Sequence, residues 1–227
     1  MRIISSVYAS APMTQSYDQC KMLLLLYRAP FMADQFEQKL ANDFQHFAKG
    51  EFDDVRVKVF LCGEGLDASR NIEDQTGSNL RAFLKVGIER EVRGSVVTLA
   101  EHKKLIDAYN AATEEVNPPR YSNLAEFELN LAHWADLIVL LPSSPGSIAE
   151  LGMFAVHPKF ARKLLIVFDE KYGRQSYIWN GPIKAAKPRG STIVETDYTN
   201  TVQVLEAVVQ RIRSEKSVIR TNQLLAE

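Results

Sequence analysis

Cysteine is scarce in this chain of 227 residues: Cys20 and Cys62 fall in different expected elements and without metal-ligand spacing. A disulfide-stapled scaffold is thereby excluded, no structural disulfide is expected, and a reducing cytoplasm fits. Net charge is scarce too. With 27 basic and 28 acidic residues the formal balance is −1, so no global field draws the molecule to nucleic acid or a membrane, and any partner must be argued locally. Long apolar runs are missing: Met22–Leu26, closed by Tyr27 and Arg28, falls far below the roughly twenty residues that span a bilayer. The first twelve residues lack the apolar centre of a cleaved secretory signal. The expected location is the cytoplasm. Histidine is sparse as well, and His46, His133 and His157 share no ligand spacing, so neither a metal nor another cofactor is expected. What the chain does have, 46% hydrophobic residues against 24% charged ones, is enough for one sizeable core and excludes disordered and fibrous classes.

The organisation reads as alternating strands and helices. Phe36, Leu40, Phe44 and Phe47 give a helical stripe within residues 33–48, which with a helix around Tyr17–Tyr27 makes an N-terminal helical section over residues 1–52. From residue 53 the pattern is α/β. Strands are expected at Val55–Cys62, Gly94–Ala100, Leu137–Leu141, Lys163–Phe168 and Thr192–Glu195. Helices are expected at Asn79–Glu91, Lys103–Glu115, from Asn123 to Trp134, after Ser147, and at Thr201–Arg213. The expected fold over residues 53–227 is therefore a Rossmann-like parallel sheet of about five strands with helices on both faces.

The turns that follow those strands share one edge of such a sheet, which is where open α/β folds bind ligands. They gather Cys62, Gly63, Glu64, Gly65, Glu101, His102, the loop from Ser143 and Asp169. In that loop Ser143, Ser144, Gly146 and Ser147 offer hydroxyls and a permissive backbone at a helix start, a setting that favours an anion. Glu150, three residues past Ser147 and read as lying in the first helical turn, has two readings. It is either a reacting carboxylate or the second half of a Ser147-x-x-Glu150 capping box. The Gly63-x-Gly65 pair lacks the third glycine of a dinucleotide fingerprint, and Glu64 opposes a phosphate, so a plain turn is the simpler reading. Glu128 shares a helical arc with Leu124, Leu131 and Ala135. An acid there is either a salt-bridged structural group or a pocket carboxyl whose pKa burial raises toward proton donation.

The run SPGSIAELGMFA at Ser144–Ala155, after WADLIVLL, resembles the strand-loop-helix of the nucleoside 2-deoxyribosyltransferase-like superfamily, whose members cleave N-glycosidic bonds. With FLCG at Phe60–Gly63, AE at Ala100–Glu101 and GPI at Gly181–Ile183, the chain resembles, more narrowly, bacterial retron effectors of the retron cold-anomaly toxin kind. The resemblance implies a toxic effector of antiviral defence that hydrolyses the N-glycosidic bond of a cellular nucleotide, a purine nucleotide favoured. The effector would be held inactive by a retron reverse transcriptase and its RNA-linked single-stranded DNA. It further implies Glu150 as nucleophile or charge stabiliser, with Glu101 or Glu128 as the proton donor and Cys62, Gly63, Glu64, Ser143, Ser144, Gly146 and Ser147 lining the substrate site. Assembly through several subunits is common in the superfamily. The chain departs from the transferase pattern where Ser144 stands six residues before Glu150, a place commonly held by aspartate, which leaves hydrolysis and transfer both open. Two alternatives stay beside this reading: an NAD glycohydrolase using the same site, and a non-catalytic nucleotide-sensing module.

Overall fold

The computed structural model describes residues 54–67, 69–101, 107 and 124–226, all within a compact unit that runs from His46 to Glu227. The helical section expected over residues 1–52, the helix expected at Lys103–Glu115 apart from Asp107, Cys20 and His102 lie outside the described residues.

Five strands, β1 (Val57–Cys62), β2 (Ser95–Thr98), β3 (Leu137–Leu140), β4 (Leu164–Asp169) and β5 (Thr192–Thr196), form one sheet in the order β2-β1-β3-β4-β5. Every pairing is parallel. The central runs VKVFLC, LIVL and LLIVFD are apolar almost throughout because both faces of the sheet are covered. Alternate side chains therefore enter two separate cores. Val59, Leu61, Val139 and Val167 meet α1 (Leu80–Glu91) and the closing helix on one face. Phe60, Cys62, Leu140 and Phe168 meet α2 (Leu124–Trp134), α3 (Pro145–Val156) and α4 (Pro158–Ala161) on the other. The expected α/β class, parallel sheet and helical layers are what the chain forms.

Two local features set the helices. Asn79 caps α1 by accepting from the Ala82 N–H at 3.1 Å, and Gly94, at φ +78°, turns the chain into β2 through a conformation costly for other residues. On α1, Gly87 faces the closing helix so closely that an added Cβ would sit 2.7 Å from Leu205.

The closing helix is longer than expected. It ends the numbered set as α6 (Thr201–Ala226), whereas the sequence pattern stopped it at Arg213. Its second half keeps Ile219 against the core, and polar anchors share in holding it. Lys216 is buried and donates to the Arg93 carbonyl at 2.6 Å, Arg211 pairs with Glu215 one turn on at 2.7 Å, and Arg220 reaches Asp54 at 3.2 Å. Between β4 and β5 the chain also forms helical turns that no periodicity announced: a π turn at Trp179–Ile183, α5 (Lys184–Ala186) and a 3-10 turn at Lys187–Arg189, stopped by Gly190 at φ +97°.

Candidate active site

Strand order reverses at β1, where the chain moves outward to β2 and then returns to the other side as β3. In open parallel sheets that switch leaves a crevice at the carboxyl ends of the two strands. Cys62 ends β1, Gly63 follows it, and the Ser143–Ser147 loop leaves β3 beside it. The rim inferred from sequence is thus assembled at its central part.

The start of α3 corrects the capping expectation. Ser144, in extended conformation, is the N-cap, Pro145 is the first helical residue and Ser147 the third. Proline suits that first position because its φ is preset and its missing N–H would be unsatisfied anyway. The capping box therefore joins Ser144 to Ser147, and not Ser147 to Glu150. The Ser144 hydroxyl accepts from the Ser147 N–H at 3.2 Å, and the Ser147 hydroxyl accepts from the N–H groups of Ser144 and Ser143 at 3.0 and 3.1 Å. Glu150 consequently lies in the second turn, without a capping duty. Three backbone donors expected to greet an anion, those of Ser143, Ser144 and Ser147, are already engaged. Ser147 is 1% exposed, while Gly146 is on the surface.

Glu150 is 9% exposed. Burial is the main cause that pushes its carboxyl pKa up to about 7, and the nearby Glu128 carboxylate adds to it. Arg81 and a hydrogen bond with the Cys62 thiol oppose the rise. Cys62 is fully buried, and burial together with the Glu150 charge pushes its thiol well up, so it stays a neutral donor to the carboxylate rather than a nucleophile. Glu128, half-buried on α2, is also raised, first by burial and then by the charge of Glu101. The three carboxylates named from sequence therefore stand in one electrostatic neighbourhood.

Arg81, which sequence reading passed over, is what organises them. It is 3% exposed and sits at the start of α1. Its Nε donates to the Leu61 carbonyl at 3.0 Å and its Nη1 to the Glu64 carbonyl at 3.3 Å. The guanidinium also grips Glu101 with two bonds of 2.5 and 2.7 Å. Gly63 makes room for this: a Cβ there would meet Arg81 Cδ and Leu141 Cδ1 at 3.3 Å each. A signal was available, since a cation in the first turn of a helix opposes the helix dipole and calls for another reason. Glu64 contributes its backbone carbonyl, and its side chain is exposed. Ser143 is half-buried, its hydroxyl 3.4 Å from the Leu141 carbonyl. Asp169 at the end of β4 is buried and paired with Lys171 at 2.7 Å. Among the described residues no group of three or more histidine, cysteine, aspartate or glutamate side chains stands so as to hold a metal ion. No described helix is long and apolar enough to cross a membrane.

Comparison with known proteins gives this site a family. Two curated relatives come from Escherichia coli. The one named "Retron Ec86 putative ribosyltransferase/DNA-binding protein" is 27% identical over 165 residues, 71% of this chain and 47% of the relative. The Retron Ec73 protein of the same designation is 41% identical over 132 residues, 58% of this chain and 38% of the relative. The chain thus spans less than half the length of either. The family model described as STM3845 retron effector protein matches residues 77–226, which takes in Arg81, Glu101, Glu128 and Glu150, and the chain belongs to that family of retron effectors.

Proposed function

We propose that this effector cleaves the N-glycosidic bond of a cellular nucleotide, with Glu150 at the anomeric carbon, as in the nucleoside 2-deoxyribosyltransferase-like superfamily. The observation that carries the reading is a buried carboxylate at the switch crevice that neither caps its helix nor owns a cation. Arg81, the positive charge coupled to it, is committed to Glu101. Such a group is costly in the empty site and gains most when positive charge develops beside it. An oxocarbenium-like transition state supplies that charge.

In the reaction, the bond from C1′ to the base nitrogen breaks and its electron pair leaves with the base. Glu128, whose pKa burial and then the Glu101 charge raise, donates a proton to that nitrogen. Ionised Glu150 stabilises C1′ by charge or by a transient ester. Water then adds at C1′ and loses a proton to the emptied carboxylate. Glu101 fits the donor role less well, because both of its oxygens already accept from Arg81. Of the remaining expected lining residues, Gly63, Glu64, Ser143, Ser144 and Gly146 stay as the substrate-facing wall of this reading, while the buried Ser147 holds the cap and the buried Cys62 donates to Glu150 instead of meeting substrate.

A second reading, NAD glycohydrolase, draws support from one feature. The backbone donors of Ser143, Ser144 and Ser147 are spent on serine hydroxyls, while carboxylates dominate the neighbourhood, and a site of that charge suits a cationic leaving base such as the nicotinamide ring. The names of the two relatives, ribosyltransferase and DNA-binding, support a retron effector with glycosyl chemistry and retron-related partners, and restraint in the cytoplasm by a retron reverse transcriptase and its RNA-linked DNA is part of the same proposal. Mass spectrometry of nucleotide pools in cells expressing the chain, against Glu150→Gln at equal protein level, tests this. Free purine or free nicotinamide accumulating only with the parent chain supports glycosidic cleavage and identifies the substrate. Pools that stay equal with the retron partners and phage present favour a nucleotide-sensing module.

A further inference from the structure

The near-neutral charge of the chain is unevenly spread. Residues 156–168 and 176–194 carry Lys159, Arg162, Lys163, Lys184, Lys187 and Arg189 and no aspartate or glutamate. The fold brings the two stretches together: the Ser191 hydroxyl donates to the Ala161 carbonyl at 2.7 Å, and a Cβ added at Gly190 would stand 3.6 Å from Arg162 Cγ. α4 thus lies against the turn at Lys187–Arg189. Lys163 turns inward to the His133 and Ala135 carbonyls. The other five cations are exposed, and among the described residues none of them meets a carboxylate. Lys184 donates to the Asn180 side chain at 2.7 Å, and Arg189 donates to the Ala185 carbonyl. Asp136, just before β3, is matched by Lys58 at 3.7 Å, and Glu195, in β5, by Arg174 at 2.7 Å. Like charges left facing water in this way repel one another and are relieved by a chain of anions.

Position and an aromatic ring narrow the choice of anion. Every strand is parallel, and Arg162 and Arg189 precede β4 and β5, so the patch lies at the amino edge of the sheet, across from Glu150 at the carboxyl edge. It is therefore no part of the substrate site. Tyr177, 79% exposed, lays one side of its ring over Gly181, three residues before Lys184, so an open aromatic face continues the cationic one. Cations beside an open ring hold phosphates and unpaired bases together. We propose that this patch binds single-stranded nucleic acid through its backbone phosphates, with Tyr177 as the stacking platform for a base. Phosphate contacts carry no sequence information, so the binding is indifferent to sequence. The inference does not depend on the glycosidic reading above.

The test titrates the full chain against a fluorescein-labelled twenty-nucleotide oligothymidylate, read by anisotropy. Affinity of the parent chain should fall at least about tenfold between 50 and 200 mM salt. Arg162→Ala, Lys187→Ala and Arg189→Ala combined should weaken binding at 100 mM salt by about tenfold or more and flatten the log–log salt slope by about two. Tyr177→Ala should cost at least about fivefold with the slope unchanged. All four positions are exposed, so the melting temperatures should match the parent. Arg70→Ala, Arg90→Ala and Arg213→Ala combined remove the same charge elsewhere and should cost less than about threefold. No binding at 50 mM salt, a patch variant that binds like the parent, or a control that loses as much as the patch variant overturns the proposal. A glutamate twenty-mer that competes as well as unlabelled oligothymidylate overturns it in favour of an acidic protein partner. A duplex bound more tightly than the single strand, or a Tyr177→Ala variant without effect, overturns the single-stranded assignment.

Discussion

Two buried carboxylates stand at the carboxyl edge of the same sheet and are treated in opposite ways. Asp169, at the end of β4, is 1% exposed and meets the Lys171 ammonium at 2.7 Å and the Lys171 N–H at 3.2 Å. Glu150, beside the ends of β1 and β3, is 9% exposed and receives a thiol, with Glu128 and Glu101 adding negative charge nearby. Burial costs an ion unless it is paired, so the fold has solved the problem at one strand end and left it standing at the other. The difference is the basis of the proposed chemistry, which we assign to the carboxylate whose charge the protein itself declines to match.

The largest effect that sharpens this contrast is catalytic. Glu150→Gln keeps shape and the acceptor for Cys62 but removes the charge, and base release should fall by about a thousandfold or more. Stability moves the other way. Because the native carboxyl holds its proton up to about pH 7 while the unfolded one releases it near 4.5, folding takes up a proton between those values. Native stability is therefore fully present below 4.5 and declines as pH rises through 7. At pH 8 the cost is on the order of 3 kcal/mol, and Glu150→Gln should recover it, raising the melting temperature by several degrees or more. By pH 5 the gain should shrink to under about 1 kcal/mol. Thermal melts of both proteins across pH 5–8 check the sign.

Next in size is the rate profile. Activity that needs ionised Glu150 should climb with pH up to about 7, tenfold per unit on the acid side. Glu128→Gln should slow base departure and move the midpoint of that climb to lower pH, because the Glu128 charge helps raise Glu150. The smallest effect belongs to the matched carboxylate: Asp169→Asn should destabilise by about 1 kcal/mol, the opposite sign to Glu150→Gln, because it gives up a charge-assisted bond to a well-exposed lysine.

Much of this was legible in the sequence because it rests on strong local signals. Apolar runs, three of them opened or closed by glycine or proline, marked all five strands to within two residues at either end, and their alternation with helices dictated the parallel sheet. Glu128 stood out as an acid in an apolar arc, and Glu150 through its motif. What stayed hidden depends on contacts between distant segments. The Ser144–Ser147 cap resembles a Ser147–Glu150 cap in one dimension, and Pro145 at the first helical position decides between them. Arg81 carries only the faint signal of a cation in a first helical turn, and its role shows once the turn after β1 folds over it. The inward face of α6 is interrupted at Lys216, a buried lysine whose bond to the Arg93 carbonyl only the fold supplies, before Ile219 resumes it.

The central claim is that the unmatched carboxylate performs the chemistry and the matched one does not. Free-base release by the full chain, its Glu150→Gln variant and its Asp169→Asn variant, measured side by side at pH 7.5 on nucleotide and NAD substrates, addresses it directly. The account predicts release by the parent chain and by Asp169→Asn at comparable rates, and almost none by Glu150→Gln. Release that persists in Glu150→Gln, or that falls equally in both variants, would contradict it.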